Sequence, residues 1–199
     1  MKRLLALTII LVSATFTLAQ APANGSPQPR CTLTLAQSPT IRGIKLGMTS
    51  EEVLAMFPGQ SQNPTIRAAL ANASKAFGVA RFTVSPNDKR FEGVNEFDFE
   101  FLDDHLTSFY VGYSGPEWNN VREFISVLSS SLKLPGVEYW EPSDAETFRR
   151  LNCAGFEIRA LTGGGGASNF VKVSNLLAPQ TVMTRQNEAK EKARQAFKP

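Results

Sequence analysis

The stretch Val94-Asn95-Glu96-Phe97-Asp98-Phe99-Glu100-Phe101-Leu102 constrains this chain more than any other. Phenylalanines at 97, 99 and 101 alternate with acids at 96, 98 and 100. That period of two belongs to a β-strand with one buried face and one wet face. Exposing the rings would cost several kcal/mol at roughly 25 cal/mol per Å². A one-residue slip would instead bury the carboxylates without partners, which is worse. Asp103-Asp104-His105 reads as a three-residue turn, after which Phe109, Val111 and Tyr113 resume the alternation. Leu102 then faces Leu106, Phe99 faces Phe109 and Phe97 faces Val111, so both apolar sets share one side. Glu96, Asp98, Glu100, Ser108 and Tyr110 are thereby sent to the other side. This side is the candidate partner surface: an exposed tyrosine supplies contact area, and carboxylates steer a basic partner. The competing reading is an ordinary solvated face.

Helical signals flank the hairpin. Thr49 and Glu52 have capping-box spacing, with Met48 and Val53 at the two staple positions. Pro58-Gly59 ends that short helix. Asn63-Pro64 starts a second, whose Ile66, Ala69, Leu70, Ala73 and Phe77 fall at helical spacing before Gly78. A third begins at Pro116, presents Trp118, Val121, Phe124, Ile125, Leu128 and Leu132 on one side, and stops at Pro135-Gly136. A short strand over 137–140 and a polar connection follow. Ala154, Phe156, Ile158 and Ala160 then alternate as a strand paired with 170–173. Placing Ile158 opposite Val171 sets Glu157 against Lys172.

Helices preceding hairpins in both halves predict an α+β fold, an antiparallel sheet with helices packed on one face. The order also admits two copies of one helix–hairpin unit. The expected organisation is a signal peptide over 1–21, a disordered leader over 22–30, one α+β domain over 31–183, and a basic, frayed tail over 184–199. Met1-Lys2-Arg3, the apolar stretch 4–12 and Ala19-Gln20-Ala21 have the charge, length and cleavage pattern of a secretory signal. The apolar stretch is too short for a membrane span. A secreted or periplasmic protein is expected, and in that compartment Cys31 and Cys153 pair most simply with each other as a disulfide.

The chain carries 21 Lys/Arg, 18 Asp/Glu and a formal net charge of +3. The basic excess sits at the ends. Setting aside Lys2, Arg3 and the five basic and two acidic residues of 184–199 leaves 14 basic against 16 acidic groups. A slightly acidic body argues against a nucleic-acid partner.

No candidate site for chemistry in the sequence completes a motif. Gly112-Tyr113-Ser114-Gly115 lacks the closing glycine of a nucleophile elbow. His105, the only possible imidazole base, lies in a hairpin turn beside Asp103 and Asp104, a motif fragment and not a triad. Gly163-Gly164-Gly165-Gly166 is followed by neither Lys-Ser/Thr nor a helix, as a phosphate loop requires. Glu100, Asp103 and Asp104 lack calcium-loop spacing, and a single His with two distant Cys makes no zinc site. Asn72-Ala73-Ser74 is a glycosylation sequon in form only, inside a helical pattern. No catalytic residue, cofactor or metal is therefore expected.

Ile44-Lys45-Leu46-Gly47-Met48-Thr49-Ser50-Glu51-Glu52-Val53 resembles the "lGMT-x-eeV" opening of the SmpA/OmlA (BamE)-type family of small bacterial envelope proteins, related in fold to the β-lactamase inhibitor protein. Phe99-Glu100-Phe101-Leu102-Asp103-Asp104-His105-Leu106 is similar to that family's hairpin. The match spans about 46–113. It implies an envelope protein that binds other proteins through its sheet and performs no catalysis. The expected function is thus an exported, non-catalytic protein with a basic or envelope-associated protein partner. The alternative is a cone-shaped α+β module, binding a small molecule or acting as an enzyme, with a pocket between helix 64–77 and the sheet.

Overall fold

The computed structural model describes residues 30–115, 118–143, 148–163 and 169–198; the expected signal peptide, nearly all of the expected leader, Pro116 and Gly164 to Gly166 lie outside these. The first half runs α1 (Ser50–Leu54), α2 (Pro64–Ala71), β1 (Val79–Val84), β2 (Val94–Leu102) and β3 (His105–Tyr113). The second runs α3 (Val121–Leu132), β4 (Glu141–Pro142), β5 (Phe148–Asn152), β6 (Phe156–Leu161), β7 (Asn169–Asn175) and α4 (Ala178–Ala196). All seven strands join one antiparallel sheet in the order β1-β2-β3-β7-β6-β5-β4. The fold is α+β, dominated by its sheet. Each half contributes a helix and then antiparallel strands, and the halves meet where β3 pairs with β7.

The alternation in β2 does what its chemistry demands. Phe97, Phe99 and Phe101 are buried with Phe109 and Val111 on the inner side. Phe57 stacks on Phe91 at 4.8 Å and meets Phe97 edge-on at 5.3 Å, while Phe82 stacks on Phe101 at 5.3 Å. Such offset and edge contacts add to the gain from area burial. The expected pairs Phe99–Phe109 and Phe97–Val111 are present, but the turn is not the expected one. Leu102 pairs with His105 across a two-residue turn in which Asp103 and Asp104 have φ of 50° and 66°. Two such residues make the primed turn that matches strand twist. A β-bulge then places Thr107 between the pairs Phe101–Leu106 and Glu100–Ser108, restoring the anticipated register beyond it.

Local capping sets the helices. The Thr49 hydroxyl accepts from the Glu52 N–H, and the Glu52 carboxylate accepts from the Thr49 N–H at 2.7 Å. Asn63 caps α2, which ends at Ala71 and continues as a tighter turn over Ala73–Ala76. The helix expected to reach Phe77 is shorter because the Asn72 amide bonds the Ala68 carbonyl, a local competitor of helix continuation. Asn120 caps α3, whose first residue Val121 lies five positions beyond the expected start at Pro116, and Lys133 in the left-handed conformation closes it. Residues 137–139 form a 3₁₀ turn rather than a strand. Ile158 pairs with Val173, and Ala160 with Val171, a register two residues from the expected one.

The tail departs most from expectation. Instead of fraying from Thr184, the chain forms the 19-residue helix α4. Ala, Gln, Glu, Lys and Arg favour helix, and Arg185 fastens it to the hairpin turn. Its Nη1 and Nη2 donate to the two Asp103 carboxylate oxygens at 2.8 and 2.6 Å, and Nη1 also donates to the Phe77 carbonyl. Val182 and Met183 of α4 share a groove with Glu100, Ser108 and Ser174 of the sheet. Those strand residues belong to the outer side, so α4 borders the side opposite the buried phenylalanines.

Cys31 and Cys153 lie at disulfide distance, with 2.01 Å between sulfurs and a sequence separation of 122. No helix among the described residues is long and apolar enough to cross a membrane.

Candidate functional site

Strand register places the outer-face residues in rows. One row reads Arg81, Glu100, Ser108, Ser174 and Glu157 from β1 to β6. The next reads Thr83, Asp98, Tyr110, Lys172, Arg159 and Arg150 from β1 to β5. A third sets Glu96 and Gly112 beside Phe170, Leu161 and Phe148. Sequence reasoning found only the acidic part, on β2. It missed the basic part on β7, β6 and β5, because nothing local reveals which strands become neighbours.

The five expected surface residues do share this face, with one correction. Asp98 is exposed, and Glu96, Glu100 and Tyr110 are half-buried, but Ser108 is only 7% exposed. Its hydroxyl lies 2.9 Å from that of Ser174, and α4 borders the same spot. Glu100 accepts from Arg81 Nε at 2.6 Å, and Asp98 accepts from the Thr83 hydroxyl at 2.5 Å. Glu157 faces Ser174 rather than Lys172, and instead pairs with Arg159 of its own strand at 2.5 Å. Arg150 Nε approaches Glu141 at 3.5 Å. Lys172 is exposed between Tyr110 and Arg159.

Tyr110 links the acidic and apolar parts. Its ring lies 4.9 Å from that of Phe170, and it leans over Gly112, where a Cβ would stand 3.2 Å from the tyrosine ring. Burial, and then the charges of Glu96 and Asp98, push its phenol above the ordinary value. A shallow groove of about 540 Å³ runs over this region, lined by Arg81, Thr83, Asp98, Glu100, Tyr110 and Lys172 among others. It is open to solvent and backed by the sheet, with polar and apolar groups both in its lining.

The hairpin turn is bound to the first helix. Gly47 N–H donates to the Leu106 carbonyl, and Leu106 N–H donates to that of Met48, both at 2.8 Å. The Ser50 hydroxyl donates to the Asp104 carboxylate. His105 Nδ1 lies 3.3 Å from the Gly47 carbonyl, so the imidazole sits at a structural junction. Among the described residues no cluster of three or more His, Cys, Asp or Glu could hold a metal ion.

These features define an α+β protein with an aromatic core under one sheet and a charge-divided, solvent-facing side. Compared with protein families, curated proteins and solved structures, the chain matches none.

Proposed function

We propose that this is an exported, non-catalytic protein that binds a basic protein partner through the acidic outer part of its sheet. The observation that carries the reading is the division of labour between the two sides of β2. Phe97, Phe99 and Phe101 are consumed by the core, whereas Glu96, Asp98 and Glu100 follow one another along the outer side of β2, with Tyr110 opposite Asp98. Fixed carboxylates beside an aromatic ring favour encounter with a cationic surface and then supply contact area. The Cys31–Cys153 pair suits an oxidising compartment outside the cytosol. The resemblance of 46–53 and 99–106 to the BamE-type family points the same way, and in the structure these two segments touch through Gly47, Met48, Ser50, Asp104 and Leu106.

Crosslinking in the native envelope, with identification of what is captured, tests the reading. The Asp98→Lys/Glu100→Lys variant should keep its fold, because both side chains lie on the outer face, and should lose most capture of a basic partner. Undiminished capture by the folded double variant would return this face to ordinary solvated surface.

A further inference from the structure

β1 is the long edge strand of the sheet, with α4 near its Val79 end, and the hydrogen-bond pattern identifies which backbone groups it offers. Asp103 N–H donates to the Gly78 carbonyl at 2.9 Å, directly across the β1–β2 ladder. Bonded and non-bonded pairs alternate along an antiparallel ladder. The bonded pairs are therefore Ala80–Phe101, Phe82–Phe99 and Val84–Phe97, and the N–H and C=O groups of Val79, Arg81 and Thr83 point away from the sheet. The two-residue turn agrees independently: Leu102 bonds to β3, which turns Phe101 toward β1. Among the described residues the outward groups of Val79, Arg81 and Thr83 have no backbone partner. Arg81 and Thr83 are exposed.

Two further features lie along the same edge. Beyond the end of β1 is a hollow of about 240 Å³, lined by Phe57, Pro58, Gln60, Val84, Ser85 and Pro86 among others. Arg81 uses its Nε on Glu100, and its side chain is 70% exposed, leaving the terminal nitrogens directed at solvent. Most proteins protect such an edge with proline, a bulge or a covering element. Here Arg81 is the sole charge within β1.

We propose that β1 is a strand-docking site for an extended segment of a partner protein. The segment runs antiparallel to β1, bonds to the backbone of Val79, Arg81 and Thr83, sets an acidic residue against Arg81, and places an apolar side chain in the hollow beside Val84. Main-chain bonds then provide affinity, and the hollow and Arg81 provide selection. Because position 84 lies three residues beyond position 81, the apolar residue precedes the acid by three in the docked segment. A second copy of this chain fits less well. In the fullest symmetric β1–β1 pairing Arg81 falls opposite Arg81 of the second copy, setting like charges together, and Gly78, which has no side chain, falls opposite Val84. This inference concerns the edge and does not depend on the acidic face being a binding surface.

The test is to pan displayed random peptides of about ten residues against the full chain. Selected peptides should share an apolar residue three positions before an acid. Thr83→Pro removes an outward N–H that has no internal partner, so the fold should persist by circular dichroism while binding weakens about tenfold. Arg81→Glu should exchange the preference for an acid in the peptide for a preference for a base, a change that misfolding cannot mimic. Failure to select any peptide, or equal binding to folded Thr83→Pro, overturns the proposal. Peptides lost on Asp98→Lys/Glu100→Lys but kept on Thr83→Pro overturn it too, while leaving the face reading intact. A dimer abolished by Thr83→Pro would replace the partner segment with a second copy.

Discussion

Replacing Arg185 by alanine removes a bidentate ion pair and one bond to a backbone carbonyl, and does little else. The guanidinium reaches Asp103 at 2.8 and 2.6 Å and Phe77 O at 2.8 Å. The paired side chains are 36% and 54% exposed, so solvent screens them, and a surface pair of this geometry contributes about 1 kcal/mol at most. Alanine is at least as good a helix former, so the intrinsic helical tendency is unaffected. Little else anchors α4. Ala178 is its only buried residue, and every described residue from Asn187 onward is exposed. Losing about 1 kcal/mol should therefore loosen the helix alone, raising its opening population about fivefold. Hydrogen exchange of 178–196 should accelerate by that factor, with β2 and β3 unchanged and the urea midpoint nearly constant. The pH dependence has a definite sign. Bonds from Arg185 hold the Asp103 carboxyl below the ordinary value. The latch is thus fully present above about pH 4 and is lost as pH falls through the lowered native value. Asp103→Asn should abolish that acid-side change. Unchanged exchange of α4 in Arg185→Ala, or a parallel fall in global stability well beyond 1 kcal/mol, would refute the reasoning.

Other outcomes follow from single contacts. Cys31→Ser or reduction should lower stability by roughly 5 kcal/mol on the chain-entropy model, measured as a shift in denaturant midpoint; no shift would mean the unfolded chain is not constrained by the bond. Gly78→Ala should destabilise by more than about 1 kcal/mol, since φ is +89° and the added Cβ would strike the Asp103 carboxylate and the Arg185 guanidinium. Burial pushes the Tyr113 phenol up to about 12, so ultraviolet titration should show one late tyrosine that disappears in Tyr113→Phe. The stability this group contributes is complete below about pH 10 and is lost as pH rises through 12.

The parts legible in the sequence are those where neighbours in the chain are neighbours in space. The Thr49–Glu52 box, the Phe97–Phe101 alternation and the β2–β3 register needed only short-range geometry, and the bulge at Thr107 offset the misjudged turn. The β6–β7 register failed for a different reason. A slip of two residues leaves every side chain on its own face, so hydrophobic pattern alone cannot distinguish Ile158–Val171 from Ile158–Val173. Strand β5 went unread because Arg149 occupies a buried position, 6% exposed, where the pattern calls for an apolar residue. The Arg149 Nη1 bond to the Trp140 carbonyl at 3.0 Å, made possible only by folding, accommodates it. Strand β1 is short and follows a helical pattern that reads straight through to Phe77. Of the candidate face, the acidic side of β2 was visible; its basic continuation and the helix beside Ser108 depend on β3 meeting β7, a contact between residues some sixty positions apart.

The Cys31–Cys153 bond also decides how the molecule would bear mechanical load. A pull between the two ends would bypass the 122-position interval between the cysteines, since tension crosses from Cys31 to Cys153 directly. Force would pass instead into β6, β7 and α4. β7 lies between β3 and β6, so extracting it would part the sheet at its centre. The aromatic core beneath β1, β2 and β3 would stay folded inside the covalent loop, an unloaded template against which β7 could pair again once the tension was released.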